Sequence, residues 1–344
     1  MTTAGTTRRG VLAGGNWTID HVKLIDAWPP QDALATIVTQ SSGNGGAPYN
    51  VLKDLAKLGA SFPLAGVGLV GDDLNGRLIR DDCRAHGIDT TQLHITPDAP
   101  TSYTDVMTVK STGRRTFFHQ RGANALLAPE HFDFTPTPGK RFHLGYALIL
   151  DTLDAPGPDG APRLAEVFAR ARAAGFATSL DCVSDNSDRF RAIVAPVLPQ
   201  IDVLFLNDYE AEKLTGLPLR SGGLLARHPV EQAGKIIVRL GVREWVLIHF
   251  PEGVCACAAG GAVVWQPSVN VPPAHIAGLA GAGDAFAAGL LYGLHEDWPI
   301  ARSLKLGVCA AATSLYHPTC SERVRPVDEC LTLGDQLQFK ALPP

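Results

Sequence analysis

From about residue 140 onward, short apolar segments alternate with amphipathic ones. Strand patterns occupy 141–149, 176–182, 201–206 and 245–249. Between them lie helical patterns at 162–174, 208–214 and 229–240, the first with Pro162 early and Gly175 just after it. Strands joined by helical crossovers run parallel, and a parallel sheet must be covered on both faces. The chain is thereby confined to an α/β sandwich around a mostly parallel central sheet. The first half carries strand patterns at 10–15 and 18–25 around a glycine pair. A helix follows at 46–58 with Pro48 in its first turn and Gly59 as its stop, and a second runs through "LNGRLIRDDCRAHG" to Gly87. The stretch 101–120 alternates and turns at Ser111–Gly113, which predicts a hairpin. These early hairpins fall outside the strand–helix rhythm. They predict a small separate sheet, a lid built from about 16–42 and 100–120. A hairpin across Gly260–Gly261 leads to two terminal helices. No repeat or low-complexity linker divides residues 1–344, so a single domain with its lid is expected.

The 344 residues are 45% hydrophobic, enough for a large core and too apolar for a disordered chain. No apolar run approaches a membrane span, and the apolar stretch behind Arg8 and Arg9 is too short for a signal peptide. A net charge of −4 and a pI near 6.2 argue against nucleic acid as the main partner. Seven cysteines without a regular framework fit reduced thiols and a cytoplasmic setting. Cys255 and Cys257 match no common zinc spacing and fall in an alternating strand, so they read as structural.

The stretch "AGLAGAGDAFAAGLLYG" (277–293) places glycine and alanine directly before one acid, Asp284. Phe286, Leu290, Leu291 and Leu294 then recur at helical spacing, so a helix is expected to begin at Asp284, with Gly281, Ala282 and Gly283 in the turn leading into it. Amides at a helix start have no partner within the helix and lie at the positive end of its dipole, an arrangement that binds anions. Two other nucleotide signatures fail. "GVGLVG" (66–71) matches a dinucleotide fingerprint by letter, but Asp72 and Asp73 follow at once and would repel a pyrophosphate. Its glycines read as turn and packing glycines around a strand end. Neither Gly139–Lys140 nor Gly234–Lys235 is followed by Ser or Thr, so a Walker-type loop is absent.

Four blocks in order make the chain resemble the ribokinase family, the PfkB carbohydrate kinases, over nearly its whole length. They are "GNWTIDHV" (15–22), "GGAPYNVLKDLAKLGA" (45–60), "LNDYEAEKLTG" (206–216) and "AGAGDAFAAG" (280–289). The resemblance implies a Rossmann-like (ribokinase-like) three-layer α/β sandwich that transfers the γ-phosphate of ATP to a sugar hydroxymethyl group. It makes Asp284 the general base and Gly281, Ala282 and Gly283 the anion hole. On the substrate side it implies Asp20, Gly45, Gly46 and Asn50, with Tyr103 and Arg121 as further candidates. Asn207 and Glu210 would position Mg2+ on ATP, Glu210 through water, and Gly253 closes a nucleotide-side loop.

The departures from the family pattern are also informative. Gly278–Leu279 stand where the family usually has Asp-Thr, and "YHPTCSERV" lacks the usual glycine, so monovalent-cation activation is doubtful. Ala47, where ribokinases place lysine, points to an unphosphorylated substrate. A nucleoside is the alternative substrate class, with Tyr103, Phe117 or Phe118 supplying a slot for the base. A non-catalytic sugar-binding regulator is the alternative function. Exposed lid edges are a hazard unless paired, and the resemblance implies a homodimer that pairs them.

Overall fold

Two apolar clusters, one on each face of a nine-stranded sheet, organise the chain. The computed structural model describes residues 8–135 and 139–344, and the opening residues of the chain lie outside that range. Side chains alternate across a strand, so each buried strand feeds both clusters. In the strand Val203–Asn207, Leu204 and Leu206 join one cluster while Val203 and Phe205 join the other.

In chain order the first elements are β1 (Val11–Gly15), β2 (Thr18–Ile25), β3 (Ile37–Gly45), α1 (Ala47–Lys57), β4 (Leu64–Gly71), α2 (Leu74–Ala85), β5 (Ile88–Thr96), β6 (Ser102–Val109) and β7 (Arg115–Gln120). Next come β8 (Arg141–Ala147), α3 (Asp151–Asp154), α4 (Leu164–Ala173), β9 (Ala177–Cys182), α5 (Phe190–Val194), β10 (Val203–Asn207), α6 (Asp208–Thr215), the two-residue strands β11 (Arg220–Ser221) and β12 (Leu224–Leu225), and α7 (Arg227–Arg239). The chain ends with β13 (Trp245–Phe250), β14 (Gly253–Ala258), β15 (Val263–Pro267), α8 (Ala282–His295), α9 (Ile300–Ser314) and α10 (Val327–Leu337).

The large sheet has the order β15-β14-β13-β10-β9-β8-β1-β4-β5, parallel from β13 to β5 with an antiparallel hairpin at one edge. One cluster packs beneath α4, α5, α6 and α7; the other packs beneath α1, α2, α8, α9 and α10. This is the expected three-layer α/β sandwich. A second sheet, ordered β3-β2-β6-β7, stands apart from it as the lid, and its edge strand β3 reaches Gly45. From β1 the chain fills the sheet first toward β5 and then, from β8, in the other direction. The switch point therefore lies between β1 and β8, where ligand crevices open in such sheets.

The fold corrects several local expectations. Strands β3 and β5 carry no clean apolar alternation and were not legible. Three helices, not two, follow the last hairpin. The helix expected from Asp284 begins two residues earlier, at Ala282, with Gly281 as its left-handed cap (φ 74°). Of the glycines in "GVGLVG", Gly71 ends β4, while Gly66 and Gly68 lie inside it and open a slot for Trp17. A Cβ on Gly66 would come within 2.5 Å of the indole, and one on Gly68 within 2.3 Å. Trp17 is fully buried and its Nε1 donates to the Val67 carbonyl at 2.9 Å. The following Asp73 caps α2 by accepting from the Gly76 amide at 2.8 Å. No space remains for a pyrophosphate. Trp17→Ala is expected to cost about 3–5 kcal/mol, the usual range for emptying a large aromatic core site; a urea unfolding midpoint matching the parent chain would contradict this packing role.

Candidate active site

A cleft of about 510 Å³ opens at the switch point, within the range of small-molecule sites. The carboxyl ends of the parallel strands supply one wall: Asn16 after β1, Tyr146 in β8, Asp181 in β9, Asn207 in β10 and His249 in β13. The first turn of α8 forms the floor, and the lid forms the opposite wall.

Asp284 lies at the centre and is almost fully buried. Tyr146 Oη donates to its Oδ1 at 2.5 Å, and Asn50 Nδ2 donates to its Oδ2 at 2.8 Å. Asn50 is itself oriented, because its Oδ1 accepts from Asn44 Nδ2 at 2.6 Å; Asn44 also donates to Ser321 Oγ at 2.7 Å. Burial raises the Asp284 pKa to about 6, against the pull of the two donors toward the charged form. Beside it, the Gly283 and Asp284 amides have no acceptor among the described residues, while the Ala282 amide makes only a long contact, 3.4 Å, to the Leu279 carbonyl. Gly281 must be bare, since a Cβ there would come within 2.4 Å of Cys320 Cβ. The turn thus offers amides and a carboxylate with no side chain between them.

Asp20 projects from β2 into the same cleft. A Cβ on Gly45 would meet its carboxylate at 2.2 Å, so this glycine makes room for the acid. Burial raises the Asp20 pKa to about 7, partly offset by a hydrogen bond from Thr104; Asp284 adds to the rise. The second glycine, Gly46 (φ 84°), lies where a Cβ would meet the Asn16 carbonyl at 2.1 Å. At the other end of the cleft, Asn207 caps α6. Its Oδ1 accepts from the Glu210 amide, and Glu210 returns the bond to the Asn207 amide, both at 2.9 Å. Glu210 is buried with a pKa raised to about 7, chiefly by desolvation. Asp181, equally buried, is raised further by its neighbours Asp284 and Glu210.

Three expected residues lie elsewhere. Tyr103 is on the outer face of the lid, tilted against His21 at 5.9 Å. Register explains this: Asp20 pairs with Thr104 and Thr104 with His119, so odd positions of β6 face away from the cleft. Arg121 pairs with Asp151 at 2.5 Å and does not line the cleft. Gly253 sits in the β14 hairpin, where a Cβ would meet the Gln266 carbonyl at 2.5 Å; the cleft residue of that segment is His249. His249 is only partly exposed and its pKa is depressed to about 4 by desolvation, so it is neutral at pH 7. Ala47 is buried against Gly145 and is therefore silent about the substrate. Around Gly278 the backbone closes against His317 and Pro318, with no acid in the turn. Tyr146, Asp181 and Cys320 carried no sequence signal, because the first two reach the cleft only through the topology of the sheet and Cys320 only through the fold of the loop after α9.

Residues 15–326 match the pfkB family carbohydrate kinases. The chain belongs to that family. An ATP-dependent ribose-1-phosphate kinase from Halopiger xanaduensis is 28% identical over 310 residues, covering 88% of this chain and 91% of its own. A 5-dehydro-2-deoxygluconokinase from Geobacillus kaustophilus is 28% identical over 284 residues, 81% of this chain and 80% of the relative. Among solved structures, a ribokinase from Giardia lamblia superimposes with a TM-score of 0.79 at 18% identity, over 96% of this chain and 100% of that one. Arabidopsis thaliana ribokinase complexed with ribose and ATP gives 0.76 at 21% identity, over 95% of this chain and 99% of that one. The fold of this carbohydrate kinase is thus ribokinase-like.

The hydroxyl of Tyr146 favours the charged form of Asp284. In Tyr146→Phe the Asp284 pKa is expected to rise from about 6 by about one pH unit, as befits loss of a hydrogen bond to a charged group. Carbon-13 NMR titration of the side-chain carboxyls reads this directly, and an unchanged or lower value would contradict the assigned hydrogen bond.

Proposed function

We propose that this carbohydrate kinase transfers the γ-phosphate of ATP to a hydroxymethyl group, with Asp284 as general base and the first turn of α8 as anion hole. One observation carries the reading: a buried carboxylate held by two donors stands directly beside amides that the protein leaves open. Phosphoryl transfer needs alignment and charge stabilisation more than covalent help. The hydroxymethyl oxygen attacks the γ-phosphorus while its proton passes to Asp284. The bond to the β-phosphate oxygen breaks, and ADP departs with the electron pair. Amides of Gly283 and Asp284 receive the negative charge on the transferred group. A pKa of about 6 leaves Asp284 mostly ionised at neutral pH and still basic enough to accept a proton. Asp20, Asn50 and the bare backbone at Gly45 and Gly46 would hold the sugar hydroxyls.

Magnesium fits the donor end of the cleft. Glu210 and Asp284 both repel Asp181 there, with no Lys or Arg among the lining residues of the strand-end wall to offset them. The described residues hold no cluster of three metal-ligating acids, histidines or cysteines, which suits an ion carried largely by phosphates and water. Asn207 and Glu210 would hold it through water, and the ion would neutralise charge on the ATP phosphates.

A sugar is favoured over a nucleoside because, of the three lid aromatics considered, only Phe117 lines the cleft; Phe118 stacks on Trp28 outside it. The exposed edge residues Ile37 and Val38 of β3 suit pairing with a second lid, which supports a homodimer. Seven free, buried cysteines suit a cytoplasmic setting.

Asp284→Asn is expected to lower kcat by a factor of about 10²–10⁴, the range for loss of a general base, in a coupled ADP-release assay. The melting temperature should be retained, since the change removes a buried charge. Near-normal turnover would refute the assignment. Chelation with EDTA should abolish activity, and added Mg2+ should restore it; a rate indifferent to the chelator would remove magnesium from the scheme.

A further inference from the structure

The lid presents alternate residues to the cleft. On β7 these are Arg115, Phe117 and His119, in register with Thr108, Val106 and Thr104 of β6 and with Leu24, Val22 and Asp20 of β2. Arg115 is the one Arg or Lys among the residues lining the cleft, where four carboxyl groups also stand: Asp20, Asp181, Glu210 and Asp284. Among the described residues it makes no ion pair and no hydrogen bond to another side chain or to backbone, unlike Arg121 nearby, which is neutralised by Asp151. It is only partly exposed, and desolvation lowers its pKa. Two inward rows along the same strand, His119 binds Thr104 through Nδ1 at 3.0 Å and leaves a buried Nε2 with no partner among the described residues. A guanidinium held partly out of water without a counter-charge, on the wall of a binding cleft, is arranged to receive an anion.

The position says which anion. Arg115 lies four residues along β7 from His119, a run of roughly 13 Å by strand geometry. Asp20 and His119 lie on the row nearer Asp284, and Arg115 lies outward from them. We propose that the acceptor of this enzyme is an anionic sugar. Its hydroxymethyl end would lie at Asp284, its middle hydroxyls at Asp20, and an acidic group at the opposite end would be bound by Arg115. The inference rests on the phosphotransfer reading of the same cleft. Carboxylate and phosphate share the chemistry a guanidinium recognises, and the experiment separates them.

Ribose, ribonate and ribose 1-phosphate share a hydroxymethyl end and differ at the other. With all three as acceptors, kcat/KM should be at least tenfold higher for one of the two anions than for ribose. A preference for ribonate identifies a sugar acid as the class, and a preference for ribose 1-phosphate a sugar phosphate. In Arg115→Gln that advantage should disappear through a rise in KM of about 10- to 100-fold, while kcat and the constants for ribose stay within about threefold. Arg115→Lys should restore part of it. Two outcomes overturn the proposal: ribose as the best acceptor, or an Arg115→Gln defect equal for all three acceptors or expressed as a higher KM for ATP. Calorimetric binding of the same compounds keeps the two readings distinguishable. If no acceptor is phosphorylated, the phosphotransfer reading fails on turnover. The anion site then stands if an anion binds more tightly than ribose in an Arg115-dependent way, and falls if neither does.

Discussion

Asp284 is an ionisable group enclosed where water cannot solvate it, and the donors that hold it come from two other elements. Asn50 arrives on α1 and Tyr146 on β8, while the acid itself rides on α8. The site is assembled only when the first crossover helix, the strand at the switch point and the late helix have all docked. Neither donor is idle: Asn50 is fixed by Asn44 at the end of β3, which in turn reaches Ser321 in the loop after α9. Chain segments far apart in sequence are therefore tied to one carboxylate. Such cross-bracing holds a buried polar network in one geometry.

Small residues serve this arrangement in three distinct ways. Gly45 leaves room for the Asp20 carboxylate, Gly281 for the backbone beside Cys320, and Gly66 and Gly68 for the Trp17 indole. In sequence these glycines look alike. Two sets border the cleft, and the third is core packing that happens to spell a nucleotide fingerprint. The acids at 72 and 73 were the textual clue that separates them, and Asp73 indeed serves as a helix cap.

What could be read from the chain was local. The rhythm of strands and helices, the stop at Gly59 and the bare turn before Asp284 depend on neighbours in sequence. The residues that escaped depend on neighbours in space. Tyr146 and Asp181 sit at strand ends whose partners are fixed only by sheet order, and neither belongs to a recognisable motif. On the lid, the hairpin was legible but its facing was not, because the register of β6 and β7 against β2 decides which parity looks inward. Tyr103 was accordingly placed on the wrong face, and Arg115 passed unnoticed. Strand β3 lacked a signal because its first half is exposed on both sides.

The two-residue period of the lid has a consequence for how such a protein diversifies. Replacing one inward residue changes the lining of the cleft at a single spot and leaves the outer surface alone. Inserting or deleting one residue within β7 instead exchanges the two faces, sending Phe118 and Thr116 inward and Phe117 and His119 out. The cleft face of this architecture is therefore open to change by substitution within the strand and by length changes only in its turns.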